Sequence, residues 1–268
     1  METRRIHHFT AANPGYMTLD GTNQYLLGEN EITVIDVGLS SKENIDGILK
    51  QVGTVGGKKI EKILLTHIHR DHSGGALALK KQTGAKLGIS RLRAGYVGSE
   101  DFTYDDGDEI PYDGGRLRVI HTPGHESGHC CFYEPDQRIL FTGDHILGRG
   151  TTVIPPPDGD MALYLRSLEK LLALKIRLLL PGHGPAIDAP YDKINEYIEH
   201  RLMREREVME CLRDGLDTIP TIAARIYAEV PAPLQTVGRL SIEAHLLKLI
   251  QEKRVAKDGE RYRRSEAV

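Results

Sequence analysis

One ten-residue stretch constrains this chain more than any other: Thr66-His67-Ile68-His69-Arg70-Asp71-His72-Ser73-Gly74-Gly75. Three histidines and one aspartate fall within six positions, and all four offer a transition metal a donor, imidazole nitrogen or carboxylate oxygen. The preceding Ile60-Glu61-Lys62-Ile63-Leu64-Leu65 reads as a short buried strand. The cluster therefore sits where a strand gives way to its loop, the place where open α/β sheets tend to hold their sites. Gly74-Gly75 lets the backbone turn tightly, and Ala76 to Lys81 then reads as a helix. Side chains alternate along an extended segment, so His67 and His69 point the same way and can share one ion. Asp71 and His72 follow the bend and can face a second ion. A helix-borne zinc motif would place its histidines four apart, which is not this spacing. His7, His8, His200 and His245 stand alone and read as ordinary hydrogen-bonded histidines.

Around this stretch, strands alternate with helices, the pattern of an α/β domain. Residues 4–9, 22–27, 32–36, 85–90, 117–121, 129–133 and 138–142 read as strands. Ile45, Ile48, Leu49 and Val52 share one face of a helix over 42–52 that ends at Gly53. Asp160 can cap a helix carrying Leu165, Leu168, Leu171 and Leu172. A last strand, 177–180, delivers His183. The acidic segments Asp105 to Asp108 and Asp113-Gly114-Gly115 read as turns; the first lacks the rest of a calcium-loop pattern. After Pro190 the character changes to helices at 191–213, 219–229 and 234–253, then a hairpin around Asp258-Gly259. Three helices and a hairpin fit a winged-helix module. The expected division is a catalytic domain at 1–190 and a helical module at 191–268.

Composition narrows the function. The net charge of −3 does not by itself make the chain a polyanion binder. Residues 191–268 carry 14 basic and 14 acidic side chains, yet Lys253 to Arg264 alone holds six basic and two acidic ones. That tip reads either as a solvated tail or as a surface for a nucleic-acid backbone. Three cysteines, Cys130, Cys131 and Cys211, cannot build a disulfide framework and point to a reducing compartment. No apolar run approaches the roughly 18 residues that span a bilayer, and no apolar segment of a signal peptide follows Arg4-Arg5. A cytoplasmic enzyme without a membrane partner is expected, its oligomeric state left open.

His67-x-His69-x-Asp71-His72 resembles the signature of the metallo-β-lactamase superfamily. That resemblance implies a third histidine in a Thr-Pro-Gly-His turn, met by Thr122-Pro123-Gly124-His125. It implies a bridging aspartate in a Gly-Asp pair, met by Gly143-Asp144, and a last histidine in Pro181-Gly182-His183-Gly184. It also implies a four-layer αββα sandwich, two sheets face to face with helices outside and the site at one edge. Further segments resemble the beta-lactamase-like protein 2 branch: Asn13-Pro14-Gly15, Met17-Thr18-Leu19, Gly21-Thr22-Asn23, Gly150-Thr151-Thr152-Val153 and the helical module. Members of that branch are implied to be zinc-dependent endoribonucleases acting on single-stranded RNA.

On that resemblance two zinc ions are expected. His67, His69 and His125 would hold one, Asp71, His72 and His183 the other, and Asp144 would bridge. A metal-activated hydroxide would attack an ester-like bond, with Asp71 orienting it and taking its proton. His129 is expected either to donate to a substrate oxygen or to stand behind the ligands, with a plain strand-end histidine as the alternative. His145 is expected behind the ligands. Arg149 would meet an anionic substrate or be an ordinary surface arginine, and Tyr16, Asn23 and Thr152 would line the mouth. The same two-metal chemistry also serves a glyoxalase-II-like thioester hydrolase or a β-lactamase. Single-stranded RNA and a small ester or thioester are thus the competing substrates.

Overall fold

The computed structural model describes residues 5–229 and 231–265. They fall into two compact units. The first gathers the chain through residue 122 with 128–150 and 174–191; the second gathers 123–127, 151–173 and the chain from 192 onward.

The first unit is built on two sheets. One has six strands in the order β1 (Ile6–Thr10), β2 (Asn23–Leu27), β3 (Glu31–Ile35), β4 (Lys59–Leu64), β5 (Lys86–Ser90), β6 (Phe102–Tyr104). Strands β1 to β3 pair antiparallel and β3 to β6 parallel. The parallel run requires crossovers; α1 (Lys42–Thr54) supplies the first, and α2 (Arg70–Ser73) with α3 (Ala76–Thr83) supply the second. The other sheet runs β11 (Leu178–Pro181), β10 (Ile139–Gly143), β9 (Cys130–Glu134), β8 (Gly115–His121), β7 (Glu109–Tyr112).

Period-two alternation decides which residues meet. In β2, Tyr25 and Leu27 enter one core and Leu26 the other; in β3, Ile35 enters the first while Ile32 and Val34 enter the second. The first core lies between the sheets, where Tyr25, Leu64 and Tyr104 meet Val119, Phe132, Phe141 and Leu180. The second lies under α1 and α3, where Ile45, Ile48, Val52 and Leu79 cover the opposite face of the six-stranded sheet. Face-to-face sheets with helices outside agree with the α/β architecture that the sequence implies.

Besides a 3-10 turn at Arg91–Arg93, three elements escape a sequence reading. β6 is three residues long, too short to show a period. β7 reads Glu-Ile-Pro-Tyr, and Pro111 argues against a strand; the structure places it at the sheet's edge, where a missing N–H costs nothing. The third, α2, is a single helical turn carrying Asp71 and His72. The expected strand at 4–9 appears as β1, with Arg4 outside the described residues.

Gly74 and Gly75 follow α2 for a reason other than a special backbone angle. A Cβ on Gly75 would lie 2.3 Å from the Val37 carbonyl oxygen, and one on Gly74 would lie 2.4 Å from that of Arg70. Only glycine lets this turn rest against the loop after β3.

The second unit holds α4 (Met161–Leu172), α5 (Pro190–Arg213) from residue 192 on, α6 (Ile219–Ile226), α7 (Ala232–Gln251) and the hairpin β12 (Val255–Asp258) with β13 (Arg261–Arg264). Asp160 caps α4 by accepting from Leu163 N at 2.9 Å, as the sequence suggests. Val208, Cys211, Leu212, Ile222, Ile242, Leu246, Leu249, Val255 and Tyr262 form its core. All three cysteines are buried and none is in a disulfide. Among the described residues no helix is long and apolar enough to cross a membrane.

Candidate metal centre

The candidate ligands arrive on the ends of strands. After β4 the chain runs through Thr66-His67-Ile68-His69 into α2, which carries Asp71 and His72. His67 Nε2 and His69 Nδ1 lie 3.0 Å apart. β11 delivers His183, whose Nε2 stands 3.1 Å from His72 Nε2 and 3.2 Å from Asp71 Oδ2. β10 ends at Gly143 and presents Asp144. Its Oδ1 lies 3.2 Å from His72 Nε2 and 3.3 Å from His183 Nε2, while its Oδ2 lies 4.0 Å from His67 Nε2. Two groups result, His67 with His69, His125 and Asp144, and Asp71 with His72 and His183; within each, one atom per residue lies within 4.8 Å of the others. All seven residues singled out in the sequence are in these groups. Gly182 makes room for them, since a Cβ there would come within 2.6 Å of the His72 ring and 2.8 Å of Asp144 Oδ1.

Four of the imidazoles are tied back through Nδ1 to an oxygen. His67 Nδ1 donates to Thr66 Oγ1 at 2.9 Å, and that hydroxyl donates to Asp36 Oδ2 at 2.8 Å. His72 Nδ1 donates to Asp36 Oδ2 at 2.8 Å, His125 Nδ1 to the Val153 carbonyl at 2.6 Å, and His183 Nδ1 to the Gly21 carbonyl at 3.0 Å. A proton held on Nδ1 leaves Nε2 as a lone pair for a metal. The nitrogen separations suit one as well: ligands at 2.0–2.1 Å around a tetrahedral zinc stand about 3.3–3.4 Å apart.

The charges tell the same story. Burial opposes the charged form of His72, but Asp144 and Asp36 outweigh it and raise its pKa well above the usual histidine value. Burial likewise opposes charge on His183, yet Asp144 and Asp71 push it up to about 9. Asp144 is buried, which pushes its carboxyl up; His72 and His183 reverse this and hold it well below the usual range. Asp71 is lowered in the same way, against its burial, by His183 and His72. Protons on these histidines occupy the place that a metal cation would fill.

Asp36 is the residue that sequence reasoning missed. It appeared only as the end of a strand, Ile32-Thr33-Val34-Ile35-Asp36. In the structure it is buried, with a left-handed backbone (φ 59°), and it accepts from Thr66 N, Thr66 Oγ1 and His72 Nδ1, each at 2.8 Å. An ionisable residue just after a largely apolar strand, upstream of a histidine cluster, was the available signal.

The remaining expectations sort by burial. His129 is fully buried; its Nδ1 pairs with Thr122 Oγ1 at 2.8 Å and its Nε2 accepts from Asp144 N at 3.2 Å. Of the roles open to it, this geometry supports holding Asp144 in place and not donation to a substrate oxygen, because both ring nitrogens are engaged within the protein. His145 is buried beside it, ring centroids 5.9 Å apart, and belongs to neither group. Arg149 is exposed and paired with exposed Asp20. Asn23 is buried and donates to the Pro181 and Gly184 carbonyls, so it pins the His183 turn. Thr152 is buried, with Oγ1 3.2 Å from His125 Nδ1, while Tyr16 is exposed.

The metallo-beta-lactamase superfamily model matches residues 17–183, well over half of the chain and all seven candidate ligands. The chain belongs to the metallo-β-lactamase superfamily. Residues 218–264 match the beta-lactamase associated winged helix domain, so the superfamily domain is followed by a winged helix in the second unit. A Caenorhabditis elegans protein named "Beta-lactamase-like protein 2 homolog" is 37% identical over 93% of this chain and 84% of its own. An Aspergillus chevalieri protein named "Atrochrysone carboxyl ACP thioesterase" is 33% identical over 95% of this chain and 83% of its own. A metallo-beta-lactamase family protein from Thermus thermophilus shares the fold, with TM-score 0.83 at 22% identity over 98% of this chain and 99% of that one. The chain is thus a superfamily hydrolase with a histidine–aspartate cluster suited to metal ions.

Proposed function

We propose that this hydrolase is a dinuclear zinc endoribonuclease acting on single-stranded RNA. The observation that carries the metal assignment is the set of four imidazoles tied back through Nδ1 around Asp144, whose two carboxylate oxygens face different groups. His67, His69 and His125 would hold one ion, Asp71, His72 and His183 the other, with Asp144 shared. Bound zinc lowers the pKa of water towards about 7 and stabilises developing negative charge. The chain's own residues supply the rest. Asp36, Thr66 and the Val153 and Gly21 carbonyls fix the imidazole orientations. Asp71, with 27% of its side chain exposed, is the carboxylate that solvent reaches; it orients the attacking water and accepts its proton.

The RNA assignment rests on the branch resemblance and on the wing. Arg254 pairs with Glu205 and Glu252, and Arg261 with Asp217. Lys253, Lys257, Arg263 and Arg264 stay exposed around the hairpin, a basic tip of the kind that meets a phosphate backbone. Buried cysteines outside any disulfide support a reducing, cytoplasmic setting. A thioester hydrolase is the second reading. It is favoured by the similarity to the Aspergillus chevalieri thioesterase, which extends over 95% of this chain and so includes the winged helix.

Elemental analysis of the purified protein should return about two zinc ions per chain; a correctly folded protein that binds none would remove the metal assignment. The zinc-loaded protein is then assayed in parallel on single-stranded RNA, acyl-carrier, CoA and glutathione thioesters, and a β-lactam. RNA cleavage that weakens on replacing Lys253, Arg263 and Arg264 by Ala supports the endoribonuclease. Turnover of a thioester alone, untouched by those substitutions, replaces it with the second reading.

A further inference from the structure

The winged-helix unit carries a buried arginine whose contacts lead to a candidate metal ligand. Arg201 lies on α5, near the middle of that helix, and only 2% of it is exposed. Among the described residues no carboxylate pairs with it. Its Nη2 donates to the Thr152 carbonyl, its guanidinium lies 5.3 Å from the centre of the Tyr164 ring, and its Nε has no hydrogen-bond partner among the described residues. Burying a guanidinium without a counter-charge is costly. A less costly packing residue would fill the same space, so the charge itself has work to do.

The work is visible one residue further along. Thr152, held by Arg201 through its carbonyl, sets its hydroxyl 3.2 Å from His125 Nδ1, and the adjacent Val153 carbonyl accepts from the same nitrogen at 2.6 Å. The turn bearing His125 rests on the same unit by three more contacts. Ser167 Oγ donates to the Pro123 carbonyl and Asp160 N to the Gly124 carbonyl. Gly124 lies so close to α4 that a Cβ there would stand 2.3–2.5 Å from the Tyr164 backbone and Cβ. Tyr164 thus touches the turn and lies beneath Arg201.

We propose that Arg201 is a positioning residue for the first metal ion. It fixes the Thr152-Val153 peptide so that the Val153 carbonyl holds the His125 proton on Nδ1 and leaves Nε2 for the metal. The inference rests on the proposed metal centre. It gives the winged-helix unit a task in the chemistry that is separate from any contact with substrate, and it concerns a residue outside the superfamily segment.

The test uses the full chain and three variants: Arg201→Met, Arg201→Lys and Arg204→Met. Arg204 is a control on the same helix; it pairs with Glu207 and lies over Tyr227, away from the His125 turn. Long-range proton–nitrogen NMR of the metal-free proteins reports the His125 tautomer, and titration with zinc against a competing chelator reports affinity. In R201M the His125 ring should lose its uniform Nδ1–H form, and one of two zinc ions should bind about tenfold more weakly. R201K should recover part of both, and R204M should match the wild type in both even if its melting temperature falls. A wild-type tautomer and two wild-type affinities in R201M would overturn the proposal. Equal loss in R204M would also overturn it, by showing that any weakening of the unit suffices. A wild type that binds no zinc would instead sink the metal centre itself, whatever the tautomer shows.

Discussion

Two pairs of histidines in this molecule behave in opposite ways. His72 and His183 are closed off from solvent, yet Asp144, Asp36 and Asp71 raise their proton affinity, His183 to about 9. In the second unit, His245 is equally buried and His200 partly so, and both are pushed down, to about 3 and about 4. Burial lowers all four. The difference lies in the neighbours: His245 faces Arg201, Lys248, His200 and Arg204, and His200 faces Arg201 and Arg204, with Glu207 and Glu196 as weaker opposing charges. Neither ring nitrogen of His245 finds a hydrogen bond among the described residues, contrary to the sequence expectation of an ordinary hydrogen-bonded histidine. A buried histidine is suited to a cation only where carboxylates converge with it.

The sharpest way to break this comparison is to remove the convergent charge. Asp144→Asn should cost about a thousandfold in hydrolysis and lower zinc content, since it withdraws charge from both groups. His245→Leu should leave zinc content and turnover within about twofold, because no metal chemistry is assigned to it. Elemental analysis and steady-state kinetics measure both, and a fully active, fully loaded D144N would dissolve the contrast. Next in size, Asp36→Ala frees His72 Nδ1 and Thr66 Oγ1. Zinc affinity should drop about 10–100-fold, as seen when partners behind a ligand are lost; chelator competition that finds no change would mean that burial alone orients His72.

The smallest effect belongs to the other pair and appears in stability. A histidine held neutral when folded, with its pKa below the unfolded value near 6.5, contributes full stability above that value. The unfolded chain binds the proton first as pH falls, so stability is lost from about 6.5 downward towards the folded pKa of about 3 for His245. Denaturant melts of wild type and His245→Leu between pH 7 and 5 should therefore diverge by up to about 1.4 kcal/mol per pH unit, the variant being less pH-sensitive. Parallel pH curves would show that His245 takes up its proton over the same pH range folded as unfolded, and so is not held neutral by the fold. His200→Leu should act in the same direction over a shorter pH window, because the folded pKa of that partly exposed ring is about 4.

Much of the centre was legible in the chain because metal chemistry needs particular atoms at short spacing. His67, His69, Asp71 and His72 announce themselves within one loop, while His125, Asp144 and His183 are readable only through turns that resemble those of a known superfamily. Asp36 and Arg201 were not legible. Their importance comes from what lies opposite them, His72 and Thr66 for one and the Thr152 carbonyl for the other, and these partners are 30 to 49 residues away. β7 was hidden for a similar reason: Pro111 forbids a central strand, and only the sheet order shows that this strand is an edge.

By itself, then, the sequence determined the alternation of strands and helices, the apolar faces that form the cores, and the supply of imidazole and carboxylate donors, because period and side-chain chemistry are local properties. Tertiary structure alone decided which histidines face carboxylates and which face arginines, and which carbonyls hold a ring proton in place. Those are through-space electrostatic and hydrogen-bonding relations, set by packing across strands and helices distant in the chain.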